Sequence, residues 1–314
     1  MITKNPSSAR DVNKFKRYAR ALVKHHFGKA ARRIEYKPSG LTNFVFTVKH
    51  AEGNFVLRIS PDPGRLNTFI KEQWAQKAAR KAGAPVPEVL EVGAEVIPFP
   101  YMISTTVEGK EATHHPERLE ILRQMGHWAA RINKIKTKGF GETFDWSENR
   151  LSRNKSFGEY LENEYRYASK LQTLEKHRLL TQAQIRTLKK ILAAAGKTRQ
   201  TGALTHGDLR LKNVIANADG KIIAILDWGS STSNIAPQWE LSIALHDLGI
   251  DGMQYFLDGY EMKSDKLKEI IPLVKAFNVT NYAAAIEEAV RSKDKARLDQ
   301  FRTRLSGTLD LYSF

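Results

Sequence analysis

Hydrophobic periodicity changes character once along this chain, near Gly109, and that switch limits the fold to a strand-rich first part followed by a helical second part. Before it, Phe44, Phe46 and Val48 alternate with Val45 and Thr47, a Glu52-Gly53-Asn54 turn follows, and Phe55, Leu57 and Ile59 alternate with Val56 and Arg58. Period two on both sides of a turn predicts a β-hairpin. Val12, Phe15, Ala19, Leu22 and Val23 recur at helical spacing over residues 11–27, and residues 66–81 predict a second helix stopped by Gly83, Pro85 and Pro87. Short strands are expected at 89–92 and 101–104, completing a small α+β lobe. After Gly109 the pattern predicts helices at 116–135, 156–177 and 181–195 and a series over 238–306. One strand pair interrupts them: residues 214–216 and 221–226 flank Asn217-Ala218-Asp219-Gly220, a turn in which Gly220 can take a positive φ.

The net charge of +16 over 314 residues raises nucleic acid as a partner, so its distribution matters. Residues 1–100 carry 18 basic and 8 acidic side chains, 101–200 carry 19 and 11, and 201–314 carry 13 and 15. The excess is spread singly over predicted helices, with no arginine-rich tract, so a solvated basic surface is expected and nucleic acid is not. With no cysteine, disulfides, thiolate metal sites and cysteine nucleophiles are excluded. The polar start and the lack of a long apolar run place the chain in the cytoplasm, with no membrane partner.

The run His206-Gly207-Asp208-Leu209-Arg210-Leu211-Lys212-Asn213, followed by Asp227, carries the chemistry. If the two strands pair about the 217–220 turn, Asn213 before the first and Asp227 after the second come out at the same open end, with Asp208 in the loop leading into it. One amide and two carboxylates suit Mg2+ carrying nucleotide phosphates, because that ion keeps waters and takes few protein ligands. Phosphoryl transfer needs a carboxylate to orient and deprotonate the attacking hydroxyl and a metal to neutralise phosphate charge.

His206 to Asn213 with Asp227-Trp228 resembles the catalytic and metal-binding loops of the aminoglycoside phosphotransferase family, relatives of protein kinases that include choline, homoserine and methylthioribose kinases. The resemblance implies an α+β, bilobal protein-kinase-like fold: a small N-terminal β-sheet lobe with one main helix (residues 1–103) and a larger, mainly helical C-terminal lobe (104–314). It implies ATP or GTP as donor, Asp208 as catalytic base, Asn213 and Asp227 as Mg2+ ligands, and Arg210 as a cation near the transferred phosphate. Ser39-Gly40-Leu41-Thr42-Asn43 resembles the loop covering the nucleotide, with Ser39, Gly40, Thr42 and Asn43 as candidate contacts. Arg58 resembles the phosphate-binding cation, an Arg where protein kinases have Lys, and Glu72 the acid that pairs with it. Ser104 and Thr105 lie in the segment that resembles the base-contacting link between lobes. His206 is expected to brace the loop rather than carry a proton.

For the acceptor, Glu240 in Trp239-Glu240-Leu241 matches a family acid, and Asp247 and Asp251, with Asp258 and Glu261, extend the acidic character that a cationic aminoglycoside needs. The layout of residues 85–90, Gly139-Phe140-Gly141 and Asp227-Trp228 is similar to that of hygromycin B phosphotransferases. The Gly-Asp-Pro usual after the metal aspartate is replaced by Asn234-Ile235-Ala236-Pro237. The function implied is transfer of the γ-phosphate to a hydroxyl of an aminoglycoside or aminocyclitol antibiotic, conferring resistance; a metabolite kinase (choline, homoserine or sugar kinase-like) and a silent nucleotide-binding scaffold are the alternatives. A monomer or weak dimer is expected.

Overall fold

The structure, a computed structural model, describes residues 9–38, 42–145, 151–246 and 248–310. Two compact units are distinguished: one runs to His115 and takes in Lys212–Gly229, and the other comprises Pro116–Leu211 and the chain from Ser230 onward.

In the first unit, helix α1 (Ala9–Phe27) precedes strands β1 (Arg33–Lys37), β2 (Phe44–His50) and β3 (Gly53–Ile59), helix α2 (Leu66–Lys81), strands β4 (Val89–Gly93) and β5 (Tyr101–Thr105), and the short β6 (Lys110–Glu111). Five strands form an antiparallel sheet in the order β1-β2-β3-β5-β4. The alternation in β2 and β3 places Phe44, Phe46, Val48, Leu57 and Ile59 on one buried face, where they pack against Phe15, Ala19, Leu22 and Val23 of α1. Each such side chain contributes about 1.5–3 kcal/mol on burial, so this face holds α1 on the sheet. The hairpin Val214–Ala216 and Ile222–Ile225 also belongs here. It joins β6 in a three-stranded sheet, and Gly220 has φ +77°, the left-handed value that its turn requires.

The second unit is mainly helical: Arg118–Ile132, Tyr167–Lys176, Gln182–Lys197, Gln238–Ala244, Ile250–Gly259, Ser264–Asn281, Ala283–Arg291 and Lys295–Asp310. Its core joins Leu171, Leu174, Leu188, Leu192, Phe277, Ile286 and Leu305. Two short strands, Ala203–Thr205 and Thr232–Asn234, pair antiparallel within it. The helix expected over 156–177 is interrupted. A capping box at Ser156 starts it, a π-turn spans Tyr160–Glu164 with the Tyr165 N–H donating to the Tyr160 carbonyl at 2.8 Å, and Arg166 takes φ +54° before helix resumes at Tyr167. π-Turns of this kind cluster at functional positions.

Candidate active site

In the first unit, Arg58 on β3 and Glu72 on α2 form an ion pair, and the Arg58 guanidinium lies 5.1 Å from the Phe69 ring centre. Glu72 is nearly fully buried, so the pair fixes where the cation points. Asn213 and Asp227 flank the open end of the hairpin: Val214 is opposite Ile225, and the Leu226 N–H donates to the Asn213 carbonyl at 2.8 Å. Asn213 is buried, whereas the Asp227 carboxylate is exposed. Asp227 has φ +60°, a backbone state that costs a non-glycine residue about 1–3 kcal/mol and concentrates at functional sites. A Cβ placed on Gly229 would sit 3.4 Å from Glu72 Oε1 and 3.6 Å from Asp227 Oδ1, so the ion pair and the hairpin end border one point. One amide and one exposed carboxylate suit a magnesium ion that retains most of its waters. Among the described residues no group of three or more His, Asp or Glu side chains gathers that could hold a metal ion.

The other nucleotide candidates are placed less directly. Ser39 and Gly40 fall outside the described residues; Thr42 and Asn43 lie at the entrance to β2. Ser104 and Thr105 belong to β5, which is paired on both sides, and Thr105 donates its N–H to the Glu88 carbonyl while its hydroxyl accepts the Glu88 N–H, both at 2.9 Å. The sheet, rather than a base, uses these groups of Thr105.

In the second unit the strand Ala203–Thr205 delivers the loop carrying Asp208. Gly207 has φ +75°, and a Cβ there would lie 2.1 Å from the Ser230 carbonyl oxygen, so the loop passes against the chain that leads into Thr232–Asn234. His206 is fully buried, and its Nδ1 accepts the Asp208 N–H at 3.2 Å, the bracing role expected of it. Arg210 is paired with Asp208 itself through Oδ1.

Glu240, expected to meet the acceptor, is placed elsewhere. It is fully buried, and its Oε2 accepts the His206 N–H at 2.7 Å and the Asn133 side-chain amide at 3.4 Å. Burial pushes its carboxyl up from 4.5 to about 7; the hydrogen bonds from His206, Asn133 and Gly207 pull the other way, and the charge of Asp208 adds to the rise. Glu240 therefore braces the loop that carries Asp208 through the His206 N–H. Between pH 4.5 and 7 the unfolded chain has released this proton and the folded chain has kept it, so raising pH through this window destabilises the fold, by about 3 kcal/mol when complete. Glu240→Gln cannot titrate. Measured by urea unfolding, the stability of the native chain relative to this variant is expected to fall by about that amount between pH 4 and pH 8. A difference independent of pH would remove the assignment.

A cavity of about 760 Å³ opens beside Asp208, and Gly207, Arg210 and Ser230 also line it. Its walls include the aromatic side chains of Tyr160, Tyr165, Trp239, Tyr282 and Phe301, and its size suits a small molecule. Neither Glu240 nor Asp251 lines it; Asp251 is exposed at the start of Ile250–Gly259, Asp258 and Glu261 are likewise absent from the walls, and Asp247 lies outside the described residues. The lining charges are instead Glu142 and Glu164 with Lys170, Arg297 and Arg304. The sequence reading missed these. Arg297, Phe301 and Arg304 stand at i, i+4 and i+7 of the terminal helix, a spacing that puts them on one face and was legible in principle.

A strand-rich unit with an Arg–Glu pair and a helical unit with an Asp-bearing loop beside a ligand-sized cavity form a protein-kinase-like fold, the architecture of a phosphotransferase with an alcohol group as acceptor. Residues 33–263 match the phosphotransferase enzyme family, and the chain belongs to that family. No curated protein matches it in sequence. Similar solved structures include aminoglycoside phosphotransferase APH(4)-Ia, at 17% identity over 98% of this chain and 100% of that one with a TM-score of 0.69. A thermostable mutant of the same enzyme, in ternary complex with AMP-PNP and hygromycin B, gives 16% over 93% and 97% with a TM-score of 0.66. The GDP and kanamycin complex of APH(2")-IIIa gives 14% over 94% and 99% with a TM-score of 0.61. The chain is thus a small-molecule kinase of this fold. No helix among the described residues is long and apolar enough to cross a membrane.

Proposed function

We propose that this kinase transfers the γ-phosphate of ATP or GTP to a hydroxyl of a small molecule held in the cavity beside Asp208. The observation that carries the reading is the cavity itself: a ligand-sized space lined by Asp208, whose carboxylate is paired with Arg210. Asp208 accepts the proton of the attacking hydroxyl, and Arg210 holds that carboxylate in place. Arg58, fixed by Glu72, takes the nucleotide phosphates, and Asn213 and Asp227 hold the magnesium ion. When bound, that ion neutralises charge on the phosphates being parted.

Two acceptor classes are compatible with this chemistry. An aminoglycoside acceptor, and with it a role in antibiotic resistance, is supported by the hygromycin B and kanamycin complexes of proteins with this fold. A metabolite kinase is favoured by the cavity charges, since Lys170, Arg297 and Arg304 outnumber Glu142 and Glu164 where a polycation would need carboxylates. Nucleoside-diphosphate release by the full chain, with and without magnesium, across a panel of aminoglycosides, amino alcohols, sugars and hydroxy acids tests the reading. Release is expected only with magnesium and is stimulated by at least one acceptor; magnesium-independent release, or none with any nucleotide, overturns it.

A further inference from the structure

Part of the cavity lining is made of cations set against aromatic rings. The Lys170 ammonium stands 3.4 Å from the Tyr165 ring centre, and Arg297 lies 5.6 Å from that of Phe301, which itself packs edge-on to Tyr282. Burial lowers the Lys170 amine to about 8, against the opposing effect of Glu142. The acids in the lining are already committed. Glu164 accepts the Glu142 N–H at 2.7 Å and the Asn154 side-chain amide at 2.9 Å; Glu142 is electrostatically coupled to Lys170; and Asp208 is held by Arg210. Arg210 and Arg304 have partners of their own as well, and the terminal helix lines the cavity with Arg297, Phe301 and Arg304 and contributes no acid to it.

We propose that this wall recognises an acidic group on the acceptor, so that the substrate is an amphipathic hydroxy compound with an apolar or aromatic body, its hydroxyl toward Asp208 and a carboxylate or phosphate toward Arg297 and Arg304. This rests on the kinase reading above and deepens it by naming the class of acceptor. Guanidinium groups bind carboxylate and phosphate oxygens through paired, charge-assisted hydrogen bonds, and the aromatic rings bury the body of such a molecule. An ammonium-rich acceptor would instead face two guanidinium groups of like charge.

The test uses the full chain and four probes that share one skeleton: 4-(hydroxymethyl)benzoate, 4-(hydroxymethyl)phenylphosphonate, 4-(hydroxymethyl)benzamide and 4-(hydroxymethyl)benzylamine, with kanamycin as a polycation. Calorimetric titration is expected to rank at least one anion about tenfold or more tighter than the amide, with the amine and kanamycin weakest. Which anion leads separates a carboxylate site from a phosphate site. The double variant Arg297→Gln/Arg304→Gln is expected to lose this preference, while Lys295→Gln/Arg302→Gln, which removes the same two charges from the same helix outside the cavity, keeps it. Equal binding of all probes, tighter binding of the amine or kanamycin, no binding of either anion, or an anion preference that survives the double variant overturns the inference. Magnesium-ATP titrated in parallel reports the kinase reading separately: its failure to bind would sink that reading whatever the order of the probes.

Discussion

Asparagine in place of Asp208 is expected to lower kcat by about 10²- to 10⁴-fold, the contribution of a positioned general base, with the KM for nucleotide unchanged. The substitution is close to isosteric. Its side-chain oxygen can still accept from the Arg210 guanidinium, and its backbone N–H can still donate to His206 Nδ1, so the loop keeps its supports and loses only the basic oxygen. The specificity of the change lies in this conservatism. A drop in kcat with intact folding isolates the chemistry, whereas a variant that melted early would report on the loop. Steady-state kinetics of diphosphate release, with thermal unfolding as the companion measurement, separate the two.

Asp227→Asn is expected to weaken magnesium-nucleotide binding by about a hundredfold or more, since changing even an outer-shell partner of a bound metal typically costs 10- to 100-fold. Asparagine is the informative replacement because Asp227 sits at φ +60°, a conformation that asparagine tolerates and alanine does not. The hairpin end therefore retains its shape while one anionic ligand becomes neutral. Binding of the nucleotide without magnesium should be little affected, and raising the magnesium concentration should recover part of the loss.

The parts of this arrangement legible in the sequence are those in which local chemistry and tertiary structure agree. Alternation in residues 44–59 leaves one register for the first hairpin, and the Asn217–Gly220 turn specifies the second, whose register shifts between Ile215 and Ala216. Asn213 and Asp227 follow from the second hairpin, and the Arg58–Glu72 pair from the side of β3 opposite its buried face. What the sequence hid depends on direction at long range. Glu240 lies beside Trp239 on a short helix, and nothing in its neighbours says that it turns inward to the N–H of His206, 34 residues earlier. The break at Arg166 was equally hidden, since hydrophobic spacing runs on through Tyr160, Leu161 and Tyr165 while the hydrogen bonding shifts to i→i+5 with no glycine or proline to mark it. That break matters for the cavity, because Tyr160, Glu164, Tyr165 and Lys170 all line it. Of the acids expected to meet a cation, Glu240 turns to the His206 loop and Asp251 to solvent.

The division of labour between Asp208 and Asp227 is tested most directly by calorimetric titration of magnesium-ATP into the native chain, Asp208→Asn and Asp227→Asn under one set of conditions. The native chain and Asp208→Asn should bind with matching affinity and Asp227→Asn far more weakly. Equal weakening in both variants, or full affinity in Asp227→Asn, would contradict the assignment of the proton to one carboxylate and the metal to the other.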